Sequence, residues 1–377
     1  MSLFTSSLVR RGKHLGLVVG GVFAVLGVLS LSRSNPAKAQ GSGENMGLYQ
    51  QVQALQAALK NLMVTVSNQQ QTINALQTSI NSLKTLTAPL SLSGTDFTFT
   101  GVNVHIVSGS GSTNDGGTLT GLGNLIIGYN APGNPFGDMR TGSHNLILGD
   151  QSSYSSYGGL VAGYGNTISG AYASASGGYA NRANGYCSSI SGGDVSLASG
   201  LYSSISGGNA NTVNGQSSSV SGGWLNKADG QNSSVSGGFS NYAPGFASSI
   251  SAGYVNTARG DYSSISGGFF NYASGLYSSI SGGYQNTANG PYSSILGGFQ
   301  NSANSDRSSI SGGWKNITTG QLGSILGGLS NNANGHFSTV SGGEINTASG
   351  DSSSVSGGNG NIQSNNDGWT GGSYHTP

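Results

Sequence analysis

Two hydrophobic periodicities divide this chain. Between residues 46 and 86 apolar side chains recur at three- and four-residue intervals: Leu48, Val52, Leu55, Leu59, Leu62, Val66, the polar Gln69, then Ile73, Leu76, Ile80 and Leu83. Alternating a and d positions of this kind predict an α-helical coiled-coil stalk with these side chains as its oligomerisation core. Gln69 is a lone polar layer, the device that fixes register and strand number. Strand number stays open: β-branched residues at several a positions with Leu at d favour two strands, and Leu59 departs from that rule. Pro89 ends the helix, because the residue before a proline is pushed out of the α region.

From Val161 to Val355 the period becomes 15, in 13 copies of a Ser-Gly-Gly-x-x-Asn-x-Ala-x-Gly-x-x-Ser-Ser-Ile phrase without insertion or deletion. A globular fold tolerates length changes in its loops, whereas stacked coils must keep every rung in register. The expected fold is therefore mainly β, a parallel β-solenoid of 15-residue coils. Counting Ser191 as position 1, position 15 is Ile or Val (Ile190, Ile205, Val220, Val235) and position 8 is nearly always Ala (Ala183, Ala228, Ala243). Strand alternation then turns positions 13 and 15 inward on one wall and positions 6 and 8 inward on the other. Position 6 is Asn in 12 of the 13 copies, Ser196 being the exception. A buried amide is costly unless bonded, so an asparagine ladder is expected. Gly at positions 2, 3 and 10 marks the turns, through positive φ or close approach of coils. No charge falls at positions 13 to 15 or 1 to 3, and positions 14 and 1 are mostly Ser. That face is expected to pack on another copy of the chain.

The flanking segments are less regular. Residues 90–160 form a β transition or cap, in which Phe97–Thr100 and Val102–Val107 alternate like strands and Asn124–Gly128 and Asn145–Gly149 look like imperfect coils. The solenoid is expected over 161–355 and a C-terminal cap or tail over 356–377. Residues 1–39 have the layout of a signal peptide: Arg10, Arg11 and Lys13, an apolar run from Leu15 to Leu31, and Ala37-Lys38-Ala39 before Gln40. The rival reading is an uncleaved anchor, and only then would the chain touch a membrane. Either way the rest is expected at the cell surface or in the extracellular space.

Composition narrows the chemistry. The chain has 67 Gly, 7% charged residues and a net charge of +1, with no basic or acidic block, so no nucleic-acid partner is implied. Cys187 is the single cysteine. The acidic residues are scattered, the histidines lack ligand spacing, and no serine sits in a nucleophile elbow. No catalytic, cofactor-binding or metal residues are assigned, and the chain is not expected to be an enzyme. One constellation stands out: position 4 carries Trp224, Phe239, Tyr254, Phe269, Tyr284, Phe299 and Trp314 on consecutive rungs. Either this is an exposed strip that grips a glycan, protein or crystal surface, or the rings stack on one another and cover the glycine turns. Tyr202, Tyr262, Tyr277 and Tyr292 at position 12 carry the same two readings.

The run Asn271 to Gly283, Asn-x-Ala-x-Gly-x-x-Ser-Ser-Ile-Ser-Gly-Gly, resembles the head repeats of trimeric autotransporter adhesins, the YadA-like or Hep/Hag repeats. The likeness covers residues 120 to 360, and the heptads resemble the stalks of that family. The resemblance implies a left-handed β-roll, a homotrimer, and binding to host or matrix surfaces. Two features depart from it. The stalk precedes the head here, and the repeat of 15 is one longer than the family's common unit. The function expected is that of a secreted or cell-surface, adhesin-like fibre. The alternative is a self-assembling sheath or surface-layer component that binds only its own copies.

Overall fold

The structure, a computed structural model, describes residues 43–372. The expected signal segment at 1–39 lies outside them. The chain divides into two units, one ending at Val104 and one beginning at His105.

In the first unit a single helix, α1, spans Gly43–Thr87 and stops two residues short of Pro89. At 1.5 Å per residue it is about 70 Å long. Its heptad stripe is uncovered among the described residues: Leu48, Leu55, Leu62, Ile73, Leu76, Ile80 and Leu83 are exposed, while Leu59 and Val66 are half-buried. The helix is thus shown, and the partner that would make it a coiled coil is not. A hairpin follows, β1 (Leu90–Ser93) against β2 (Asp96–Phe99), antiparallel with Leu90 opposite Phe99. The strand expected over Val102–Val107 is irregular instead, and among the described residues no strand supplies ladder partners to its backbone.

The second unit is a parallel β-solenoid. Its first rung, β3 (Leu125–Ile127), pairs with β4 (Leu146–Asp150). The opposite wall starts at β5 (Ser153–Tyr154), β6 (Leu160–Tyr164) continues the first wall, and β7 (Thr167–Ile168) the second. From there two-residue strands alternate between the walls as far as Ile362–Gln363 and Trp369–Thr370, and the wall of position 8 is a 15-stranded parallel sheet. Positions 6, 8, 13 and 15 face inward as expected: Asn286, Ala288, Ser293 and Ile295 are all buried.

Coil length differs from the count made on the sequence. Ile147 pairs with Val161 and Val161 with Ala175, each 14 residues on, so the coil opened by Val161 is one short. The run of 15 begins at Ala175 with Ile190 and continues beyond Val355, which pairs with Thr370. The reason lies in one residue. Tyr164 bridges Tyr179, and the glycines before them, Gly163 and Gly178, share a left-handed φ of 94° and 81°. Between them and the inward Val161 and Ala175 stand Ala162 in one coil and Ser176-Gly177 in the other. The longer coil therefore carries an extra residue at positions 1 and 2. Where it is missing, β4 and β6 run unbroken for five residues. Where it is present, the strand breaks into a pair and a single bridge at position 4, a bulge repeated in register up the stack.

The three glycine positions have different causes. At position 3, Gly283 has φ 88°, and at position 10 a Cβ on Gly275 would lie 2.1 Å from the carbonyl oxygen of Gly290. Position 2 does not fit the turn explanation, because a Cβ on Gly192, Gly207 or Gly282 meets nothing within 4 Å. The corners also recruit residues with side chains: position 5 (Val255, φ 52°) and position 12 (Tyr277, φ 56°) are left-handed in coil after coil.

Position 6 builds the expected ladder. The Asn286 backbone N–H donates to Asn271 Oδ1, and Asn286 Oδ1 accepts from the Asn301 N–H, both at 3.0 Å. Its Nδ2 donates to the carbonyls of Gly282 and Gly298. The side chain thus ties its own coil to the next, and with the backbone N–H the residue links three coils.

Candidate interaction surface

Position 4 sits between the left-handed glycine at position 3 and the left-handed residue at position 5, and a single backbone bridge joins it to the same position of each neighbouring coil. Successive side chains there are held about one strand spacing apart, roughly 4.8 Å, within the centroid separation of stacked rings. Phe239, Tyr254, Phe269, Tyr284 and Phe299 form a parallel stack with centroids 4.7 to 5.1 Å apart and planes within 12°. At the two ends the tryptophans turn. Trp224 stands at 89° to Phe239, and Trp314 at 79° to Phe299. The rings stack as one reading expects, the five central ones covering one another's faces, while Trp224 and Trp314 stay 53% and 50% exposed. The column offers ring edges along its length and an indole at each end. Polar or aliphatic side chains bound it, Asn209 and Asp194 on one side and Leu329 and Glu344 on the other.

The tyrosines of position 12 form a second column. Tyr262, Tyr277 and Tyr292 stack face to face, whereas Tyr202 meets Tyr186 edge-on at 5.6 Å. Cys187 takes the tyrosine's place between Tyr172 and Tyr202, and Tyr186 from position 11 fills the gap against both. The wall at positions 14 and 1 has half-buried serines and then exposed ones, with Leu296 and Leu326 exposed among them.

One polar cluster lies where the sequence reading assigns only an irregular β transition or cap segment, at Ser108–Thr120. Asp115 is buried, accepts hydrogen bonds from the hydroxyls of Ser108 and Ser110, and takes both the N–H and the hydroxyl of Thr120. The Ser108 hydroxyl first, then Ser143, holds its carboxyl far below the usual carboxylate range despite burial, with Thr120 adding to the effect. The only sequence signal was an Asn-Asp-Gly-Gly turn. Ser108, Asp115 and His144 are together, yet they do not make a nucleophile. The Ser108 backbone N–H, not its hydroxyl, donates to His144 Nε2, and Nδ1 faces the Thr113 carbonyl at 2.9 Å. The cluster ties the entry segment to the first coils. Because folding depresses this carboxyl, its contribution is complete above the ordinary value near 3.8 and is lost as pH falls toward the folded value. Acid titration followed by hydrogen exchange should show residues 108–123 opening below about pH 4 before the repeats do, and Asp115→Asn should open them at neutral pH.

Among the described residues no three His, Cys, Asp or Glu side chains are grouped to hold a metal ion, and no helix is long and apolar enough to cross a membrane. No protein-family model matches the chain, and no curated protein matches it.

Proposed function

We propose that this chain is an exported, adhesin-like fibre protein that uses its repeated coils for multivalent attachment to an extracellular glycan or matrix surface. The aromatic column of position 4 carries the reading: seven rings on consecutive rungs form one continuous strip suited to repeated weak contacts. Weak contacts repeated over rungs and copies add up to avidity. The exposed heptad stripe of α1 supports assembly through a coiled coil, and the resemblance of the repeats to adhesin heads favours three copies and a left-handed winding. The open glycines of position 2 support the same assembly. Their coils require no glycine there, and a row without side chains beside the small serines lets another copy come close.

Two measurements test this. Sedimentation of the exported chain should give a trimer, and a monomer at micromolar concentration would remove the assembly. In a glycan and matrix-protein binding screen, Trp224→Ala with Tyr254→Ala and Trp314→Ala should weaken surface binding at least about tenfold, since each exposed aromatic contact is worth roughly 1 kcal/mol. Absence of any heterologous ligand, with copies of the chain still associating, would point to the sheath or surface-layer component instead.

A further inference from the structure

Phenols, unlike the other rings on this surface, lose one electron readily and then couple carbon to carbon. Two conditions govern that coupling: the rings must be accessible to an oxidant, and two phenols must be neighbours. Within the seven-ring column of position 4 the second condition fails, since Phe269 separates Tyr254 from Tyr284. At position 12 both hold. Tyr262 and Tyr277 lie 4.6 Å apart with planes 8° from parallel, and Tyr277 and Tyr292 follow at 5.2 Å and 11°. All three are close to half exposed, at 45%, 45% and 48%. The geometry is held by the fold, because each of these residues is a left-handed corner whose N–H donates to the residue at position 11 of the preceding coil. The other tyrosine neighbours are less suited. Tyr172, Tyr186 and Tyr202 meet edge-on, and Tyr164 and Tyr179 are parallel at 5.7 Å.

We infer that Tyr262, Tyr277 and Tyr292 are an oxidative cross-linking site, at which neighbouring rungs are joined by dityrosine bonds. The co-reactant is hydrogen peroxide, acting through a peroxidase that removes one electron at a time. Each of two phenols gives up its hydroxyl proton and one electron. The two radicals join through a new bond between their ring carbons beside the hydroxyl (Cε), and each of those carbons then loses its hydrogen to the hydroxyl oxygen as the ring regains aromaticity. Two tyrosines and one peroxide thus give one dityrosine and two waters. The bond closes a loop of one coil's length that the unfolded chain cannot reopen, as a disulfide would, in a chain that has a single cysteine. The inference does not depend on what the surface binds.

Treating the full chain with hydrogen peroxide and a haem peroxidase, and mapping the digested protein, tests it. The expected products are peptides joining Tyr262 to Tyr277 and Tyr277 to Tyr292, each lighter by two hydrogens, with blue dityrosine fluorescence that does not depend on protein concentration. Tyr277→Phe keeps the ring stack and removes the phenol common to both pairs, so both joined peptides should vanish. Tyr129→Phe, a fully exposed residue outside the column, should change nothing. Thermal melts of the two variants establish that both are folded. Undiminished fluorescence in Tyr277→Phe, or coupling between chains alone, overturns the inference.

Discussion

Asn286→Ala should cost about 3 kcal/mol and open the solenoid locally. The substitution leaves the buried N–H of Asn301 and the carbonyl of Gly282 without their partners, at roughly 1–3 kcal/mol for each orphaned group. The Gly298 carbonyl suffers less, because it also accepts the Tyr284 N–H. The chain contains its own control. Ser196 occupies the same position: its N–H still donates to Asn181 Oδ1, and its hydroxyl oxygen accepts from the Asn211 N–H at 3.3 Å. Asn286→Ser should therefore fall between wild type and Asn286→Ala. Since each coil contacts only its neighbours, a single melting temperature understates the effect. Hydrogen exchange at Asn301 and the adjacent amides is the proper measurement, and unchanged protection there would refute the ladder's energetic role.

Gly275→Ala should destabilise by about 1–3 kcal/mol or more, and Gly282→Ala should not destabilise at all. Both are exchanges in a helix-free, extended segment, where alanine ordinarily gains 0.4–1 kcal/mol by restricting the unfolded chain. At Gly275 the new Cβ would come within 2.1 Å of the Gly290 carbonyl oxygen and 2.6 Å of its carbon, both backbone atoms that cannot rotate aside. The rungs must part, and overpacking of that kind costs about 1–3 kcal/mol or more. At Gly282 the methyl meets open space, so denaturant midpoints of the two variants should move in opposite directions. If Gly282→Ala leaves the isolated coil stable but weakens association between copies, the open glycine serves the interface proposed above.

The walls and their inward positions were legible because burial in a coil this thin admits one pattern. Ile280 and Ala273 had to face each other, and Asn271 had to bond its neighbours. Coil length at the start was not legible. Val161 matches the repeat's spacing by number, yet its inward role aligns it with Ala175, and only pairing reveals that Ser176-Gly177 replaces Ala162. The left-handed corners escaped notice for a related reason. Val255 and Tyr277 are residue types that local preference keeps out of this conformation, and the stack imposes it. Of the surface, the aromatic column could be read as a list of residues. The turn of Trp224 and Trp314 out of the stack could not, because ring orientation depends on what bounds each end.

The neighbour-only contacts have a mechanical consequence. Tension applied along the axis bears first on the last described rung, where Trp369–Thr370 pairs with Ser354–Val355 and, among the described residues, with no later strand. Coils should therefore peel away singly, each releasing about 50 Å of slack at 3.3 Å per residue, so that the head lengthens stepwise under load instead of rupturing at once.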